Sequence, residues 1–374
     1  MNDLKKYFIG LDHVTYLYSG AESPSLASNV EMLTNYLRDK SLGEYGRKKA
    51  NEIEMKAKKN IAQLINASYD EIAFTANASE AINTLVESLK IKPGDNVILN
   101  DLEYPSMVLP WIKLKNEMQI EIRLIHSQKR VVDPKKINEL MDERTCLVAV
   151  SHVSYLNGFR HNLKVLREIT KQKNVPLLVD ATQSLGVVPV NSEYFDMMVS
   201  SSYKWLLGTH GLGILYVDKG FQRNLEPQRI GWRSVKTIFS DDRFESYELK
   251  DDAGQFEVGF NNYPAIYALK NSTDFLLHVN INKIEAHVLD LGEILIEELN
   301  KQGWPLLSPS KKEERSGNIS IVADNSVDLM NELEKQNIKV WGGDGRVRFS
   351  IHLFNTYEDI IRLLKALAPY SKKY

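Results

Sequence analysis

Short apolar runs alternate with longer stretches of helical periodicity through the middle of the chain. The runs fall at 71–75, 96–99, 121–124, 147–151, 176–179, 197–199 and 213–217. Each is short, rich in branched aliphatic residues and bounded by polar or turn-forming residues, which is the signature of strands buried on both faces. Strand followed by helix, repeated, predicts a mostly parallel seven-stranded sheet with helices on both sides. A turn-rich stretch rather than a helix joins the last two runs, which allows one antiparallel strand. Ahead of the sheet, 28–65 is charged and helix-patterned.

Beyond Gly259 the pattern changes. A long helical stretch at 267–300 is followed by a break at Gly303-Trp304-Pro305, strands at 317–322 and 346–351, and a closing helix at 355–367. Thr356 is placed as its N-cap, with Glu358 and Asp359 in the first turn. The fold class expected is α/β, with a large domain at 15–262 and a smaller α+β domain made from 1–14 and 263–374. A length of 374 residues suits two unequal domains.

Composition narrows the function classes. With 47 basic against 49 acidic residues and no basic stripe, nucleic acid is a poor partner. No uncharged apolar run reaches the roughly 18 residues that span a bilayer, and the first ten residues lack a long apolar segment. A soluble, cytoplasmic protein without a membrane partner is the expectation. The single cysteine, Cys146, excludes an intrachain disulfide and a multi-cysteine zinc site, and its apolar run marks it as a core residue.

Three distant segments place polar or small residues at the C-terminal ends of predicted strands, where open α/β sheets bind ligands. Thr75-Ala76-Asn77-Ala78-Ser79-Glu80 opens a helix, so its backbone N–H groups suit a phosphate, although Ser79 also fits a plain helix cap. Leu178-Val179-Asp180-Ala181-Thr182-Gln183 ends an apolar strand on a carboxylate, which needs a cationic partner or caps the next helix. No His or Cys cluster nearby points to a metal. Ser200-Ser201-Ser202-Tyr203-Lys204-Trp205 sets a lysine among aromatic and apolar residues, where a lowered pKa makes an amine nucleophile; a lysine snorkelling to solvent is the plainer alternative. Gly211-Leu212-Gly213 runs into a strand and lacks the glycine spacing of a dinucleotide or P-loop site.

Taken together, the helix-opening turn, the strand-end Asp with Gln three residues on, and Ser-x-x-Lys resemble the fold-type-I pyridoxal 5′-phosphate (PLP) enzymes of aminotransferase class V, the group of cysteine desulfurases, kynureninase and isopenicillin N epimerase-like proteins. The resemblance runs from Tyr16-Leu17-Tyr18-Ser19-Gly20-Ala21 to Arg348-Phe349-Ser350 and the residues after it. It implies PLP as cofactor, with Lys204 as its covalent anchor and proton carrier. It further implies Asp180 at the ring nitrogen and Gln183 at the ring hydroxyl. Tyr104 would stack on the ring, and Ala78, Ser79, Ser201 and Tyr203 would hold the phosphate. It places Arg348 on the substrate carboxylate, with Asn157 and Ala21 beside the substrate, and it implies a homodimer.

The sequence departs from the family pattern at two places that bear on the reaction. A desulfurase needs a mobile thiol on a C-terminal loop, and here the short turn Val340-Trp341-Gly342-Gly343-Asp344-Gly345-Arg346 has no cysteine. Phe260 stands where the family places a phosphate-binding Thr, so Asn261 or Asn262 is expected to compensate. Trp341 occupies a position where some relatives have a second arginine, which suggests a less acidic or more apolar substrate group. The expected activity is that of an aminotransferase or C–S lyase acting at the α-carbon of an amino acid. An epimerase of the same family, or a non-catalytic PLP-fold binding protein, is the alternative.

Overall fold

The computed structural model describes residues 4–371; residues 1–3 and 372–374, the ends of the expected smaller domain, lie outside the described residues. A two-residue strand β1 (Thr15–Tyr16) precedes helices α1 (Asn29–Lys40) and α2 (Glu44–Ile65). Then come β2 (Ile72–Thr75), α3 (Ala78–Ser88), β3 (Asn96–Asn100), α4 (Pro105–Met118), β4 (Glu121–Ile125), α5 (Pro134–Leu140), β5 (Thr145–Ser151), α6 (Leu163–Gln172), β6 (Leu177–Asp180), β7 (Met197–Ser201) and β8 (Gly213–Val217). These seven strands from β2 to β8 form one sheet in the order β2-β8-β7-β6-β5-β3-β4. β8 runs antiparallel to both neighbours, β2 and β7, and the other pairs are parallel. The expected α/β sheet, including its one antiparallel strand, is what the chain forms.

Period-two alternation along the strands divides the core into two layers. Ile98, Val148, Val150, Leu177, Val179, Met198 and Ile214 face one side. Val97, Leu99, Leu147, Ala149, Leu178, Met197 and Leu215 face the other, against α3 and α4, which bring Ile82, Leu85, Met107 and Trp111. Both faces are apolar because both are covered, which explains why the strands read as continuous apolar runs.

The C-terminal part contains α7 (Tyr263–Val279), α8 (Ile281–Lys301), β9 (Asn318–Val322), α9 (Ser326–Glu334), β10 (Ile338–Lys339), β11 (Trp341–Gly343), β12 (Arg346–Ser350) and α10 (Tyr357–Leu367). The expected long helix is two helices. Asn280, at φ +81°, interrupts it, and the Asn280 side-chain oxygen accepts from the Asn282 and Lys283 N–H groups to start α8. β11, β12 and β9 form an antiparallel sheet. The turn between β11 and β12 is a tight hairpin with Asp344 and Gly345 both at positive φ. Thr356 caps α10 in a capping box with Asp359, as its sequence predicts.

The expected division of the chain stays a proposal about folding units, and the pairings show where the two parts are tied. Thr15 and Tyr16 pair in parallel with Ile338 and Lys339, and the Ser350 N–H donates to the Leu17 carbonyl. α7 packs along α1 and α2. No helix among the described residues is long and apolar enough to cross a membrane.

Candidate active site at the strand ends

Strand order reverses between β3 and β5, because β4 lies to one side of that pair while β6, β7 and β8 follow to the other. Such a switch point leaves a crevice beyond the carboxyl ends of the strands. A cavity of about 160 Å³ opens there, lined among others by Ala78, Ser79, Tyr104, Tyr155, Asp180, Gln183, Ser201, Tyr203 and Lys204.

Lys204 follows the end of β7 in a turn closed by the Leu207 N–H donating to the Lys204 carbonyl. Leu207 is held at φ +58°, a left-handed conformation that costs a non-glycine residue roughly 1–2 kcal/mol. Burial of Leu207 and the Ser272 hydroxyl bonded to its carbonyl keep it there. Trp205 and Leu206 are sunk in the core, so Lys204 is fixed at its base while its amine enters the cavity. Nζ lies 5.7 Å from the Tyr104 ring centre and 5.6 Å from that of Tyr203. Burial, with Arg348 nearby, lowers the amine to about 8, against the opposing pull of Asp180. A substantial neutral fraction at ordinary pH makes it a nucleophile toward a carbonyl carbon.

Asp180 is the last residue of β6 and is buried. Its Oδ1 accepts from the Thr182 N–H at 2.8 Å, and the Thr182 hydroxyl in turn accepts from the Ser201 N–H. Burial raises the carboxyl, while Thr182 and Lys204 pull it down. A buried carboxylate of this kind needs a proton or a cation against it. Gln183 is clamped at both ends of its carboxamide. Its oxygen accepts from Trp205 Nε1 and Asn318 Nδ2, each at 2.9 Å, and its nitrogen donates to the Gly20 carbonyl at 2.8 Å. One N–H of that nitrogen is left for a ligand.

Behind Asp180 lies a carboxyl that the sequence did not single out. Glu103 bridges β3 and β5: it accepts from Asn100 Nδ2, from the Ser151 N–H with both oxygens at 2.9 Å, and from the Ser151 hydroxyl at 2.5 Å. Burial pushes it up to about 7, with Asp180 adding to the effect and the hydrogen bonds opposing it.

Opposite Lys204, Asn77 caps α3 by accepting from the Glu80 N–H at 2.9 Å. The first N–H groups of a helix have no intrahelical acceptor, and Ala78 and Ser79 border the cavity. Gly213 of β8 makes this approach possible, since a Cβ there would meet the Asn77 carbonyl carbon at 2.4 Å. The Ser79 and Ser106 hydroxyls are 2.7 Å apart, and Tyr203 hydrogen-bonds the Ser201 side chain and stacks on His210 at 4.0 Å. Helix N–H groups and hydroxyls together suit an anion.

Arg348 does not itself line the cavity: it is buried behind Tyr155, which does, donates to the Tyr155 carbonyl at 2.8 Å, and is close enough to help lower the Lys204 amine. Three further expected residues do not line the cavity either. The Asn157 carboxamide is spent on the Arg130 carbonyl and the Phe159 N–H, as a turn residue. Ala21 lies in the turn closed by its N–H on the Tyr18 carbonyl. Asn262 caps α7 through the Ala265 N–H, and a Cβ on Gly211 would lie 2.5 Å from Asn262 Nδ2. Cys146 sits near the start of β5, roughly 17 Å along the strand from Ser151 at about 3.3 Å per residue, and burial pushes its thiol up to about 12.

A lysine amine of lowered pKa, a buried carboxylate and a helix N-terminus around one cavity fit a ligand carrying an aldehyde, a basic ring nitrogen and a phosphate, which is the outline of PLP. The class-V aminotransferase family matches residues 15–363. A probable cysteine desulfurase of Methanothermobacter thermautotrophicus is 30% identical over 375 residues, spanning 93% of this chain and 92% of the relative. The apo structure of cysteine desulfurase from Thermococcus onnurineus NA1 has a TM-score of 0.91 at 25% identity, covering 100% of this chain and 98% of that one. The complex between the cystine C-S lyase C-DES and its product cysteine persulfide shares the fold, with a TM-score of 0.89 at 20% identity over 96% of this chain and 99% of the other. The chain belongs to the class-V aminotransferase family, and with it to the PLP-dependent enzymes of transferase or lyase type that act at the α-carbon of an amino acid.

Proposed function

We propose that this enzyme works as an aminotransferase or C–S lyase on a free amino acid, with Lys204 as the residue that anchors the cofactor and moves the α-proton. The observation that carries this reading is the Lys204 amine between the Tyr104 and Tyr203 rings, in the same cavity as Asp180 and the N-terminus of α3. Bound PLP supplies an electron sink for the pair left when a bond to the α-carbon breaks. With the cofactor bound, Asp180 would hold a proton on the ring nitrogen, which the otherwise unpaired buried carboxylate favours. The free N–H of Gln183 would donate to the ring hydroxyl. Ala78 and Ser79 N–H groups, with Ser201 and Tyr203 hydroxyls, would take the phosphate. Tyr104 would cover the ring and exclude water, and Arg348 would hold the substrate carboxylate as a planar two-pronged donor. Lys204 would be the base that takes the proton from the α-carbon.

A persulfide relay through a cysteine of this chain finds no support, because Cys146 lies at the far end of β5 and the β11–β12 hairpin carries no thiol. In the proposed assembly the enzyme is a homodimer in the cytosol. Supporting this are Trp232, Phe239, Phe244, Tyr247 and Phe260, exposed within one stretch, Phe239 and Phe244 at 85% and 87%. Asn262 then has a role open to it across the subunit boundary that it does not fill in its own cavity. Sedimentation at micromolar concentration tests the dimer; a monomer overturns it.

The reaction is tested by a half-reaction. PLP-loaded protein is mixed with single amino acids and no keto acid, and absorbance and products are followed. Conversion of the cofactor to pyridoxamine phosphate establishes transamination. Release of ammonia or sulfide with return of the starting spectrum establishes a lyase, and an inverted α-carbon establishes an epimerase. Cofactor absorbance with no turnover on any substrate overturns the enzymatic reading.

A further inference from the structure

Arg346 has no task in this reading, yet its surroundings are unusual. Residues two apart on a strand share a face, so Arg346 and Arg348 stand side by side on β12. Both guanidinium carbons lie over the Trp341 ring, at 4.5 and 5.4 Å from its centre. That of Arg346 also lies 5.2 Å from the ring centre of Tyr155, which borders the cavity. Each arginine is only 3% exposed.

Little answers these two charges. Nε and Nη2 of Arg346 and Nε of Arg348 are buried without a hydrogen-bond partner. Among the described residues Arg348 has no ion pair, and Arg346 has Asp344 at 3.3 Å from Nη1, with 71% of the Asp344 side chain exposed at the hairpin tip. Burial, followed by repulsion from Arg346, lowers Arg348 to about 10. The aromatic faces compensate in part. Two buried cations beside a substrate cavity, with one loose and solvated carboxylate, are an arrangement that a ligand with two negative groups would complete.

We propose that the site takes an amino acid whose side chain ends in a second anion, a carboxylate or a sulfinate, with Arg348 on the α-carboxylate and Arg346 on the distal group. The distal anion replaces Asp344 at Nη1 of Arg346. This inference rests on the cofactor reading above, in which Arg348 meets the α-carboxylate. It reverses the sequence expectation drawn from Trp341. That residue is the platform on which both guanidinium groups lie, and the second cation comes from two positions before Arg348.

The test compares near-isosteric pairs on PLP-loaded enzyme: L-aspartate with L-asparagine, L-glutamate with L-glutamine, and L-cysteine sulfinate with L-cysteine. At least one acidic member is expected to show a kcat/KM roughly tenfold or more above its neutral partner, the scale of one charge-assisted contact. Arg346→Gln should collapse that ratio. Asp344→Asn, on an exposed tip where folding is not at stake, should raise it by removing the competing carboxylate. Turnover without preference for the acidic member, or a ratio that neither substitution moves, overturns the inference alone. Protein that loads no cofactor, or whose cofactor spectrum no amino acid changes, overturns this inference and the cofactor reading together.

Discussion

Ser151 and Asp180 are register partners at the ends of adjacent parallel strands, so that the hydrogen bonds holding Ser151 to Glu103 also build the wall beside Asp180. Two buried carboxyls thus lie on the two sides of one serine. The Glu103 carboxyl is raised from about 4.5 to about 7, and its folded-state preference is for the proton. The folded protein therefore binds more protons than the unfolded chain between these values, and the stabilisation present below pH 4.5 is lost as pH rises through 7. Denaturant unfolding of the wild type and Glu103→Gln across pH 4.5–8 checks this. The wild type should lose stability relative to the variant by roughly 1–3 kcal/mol, with 1.4 kcal/mol per pH unit as the limit. Parallel curves would remove Glu103 from the account.

The lowered Lys204 amine predicts how cofactor uptake depends on pH. Only the neutral amine attacks an aldehyde, so the rate at which apoenzyme combines with PLP should rise through pH 7–8 and level off above about 8. An ordinary lysine would keep gaining until about 10.4. Stopped-flow absorbance gives the profile.

Gly213 allows β8 to pass against the capping turn of α3, with Asn77 backbone where a side chain would stand. Gly213→Ala must push that turn and its N–H groups away from the cavity. The expected result is a cofactor Kd raised about tenfold, or about 1.4 kcal/mol, measured by fluorescence titration on protein whose circular dichroism is unchanged.

Away from the cavity, Glu257 is buried and accepts from Arg233 at 2.7 Å, from Lys58 at 2.8 Å and from the Phe74 N–H at 3.0 Å. It ties α2 and β2 to the segment that leads into α7. Glu257→Ala leaves Lys58 without its buried partner, while Arg233 keeps Glu54, and should cost about 3 kcal/mol of unfolding free energy, read by denaturant titration.

The sheet was legible because its strands are covered on both faces, so Leu147-Val148-Ala149-Val150 and its like stand out against charged helices. Lys204, Asp180 and the Ala78–Ser79 turn were legible for a related reason: each follows such a run, and parallel strands bring their ends to one edge. Glu103 was hidden because its role depends on β3 lying beside β5, a pairing that no local pattern carries. Arg346 was hidden at the end of a turn whose hairpin register sets it opposite Gly343, over which the Trp341 ring reaches to meet it. Asn157 and Asn262 satisfy backbone groups of their own chain instead of lining the cavity, since an Asn near a strand end or helix start is as well suited to that as to meeting a ligand. The break in the expected 267–300 helix depended on the single left-handed Asn280.

The central claim, that Lys204 is the cofactor anchor, is tested most directly by trapping. Protein incubated with PLP is reduced with borohydride, which turns a lysine–aldehyde linkage into a stable amine, then digested and mapped by mass spectrometry. The account predicts one stoichiometric phosphopyridoxyl adduct, on the peptide containing Lys204, and none there in Lys204→Ala. An adduct concentrated on another lysine, or scattered over surface lysines with Lys204 unmodified, would contradict it.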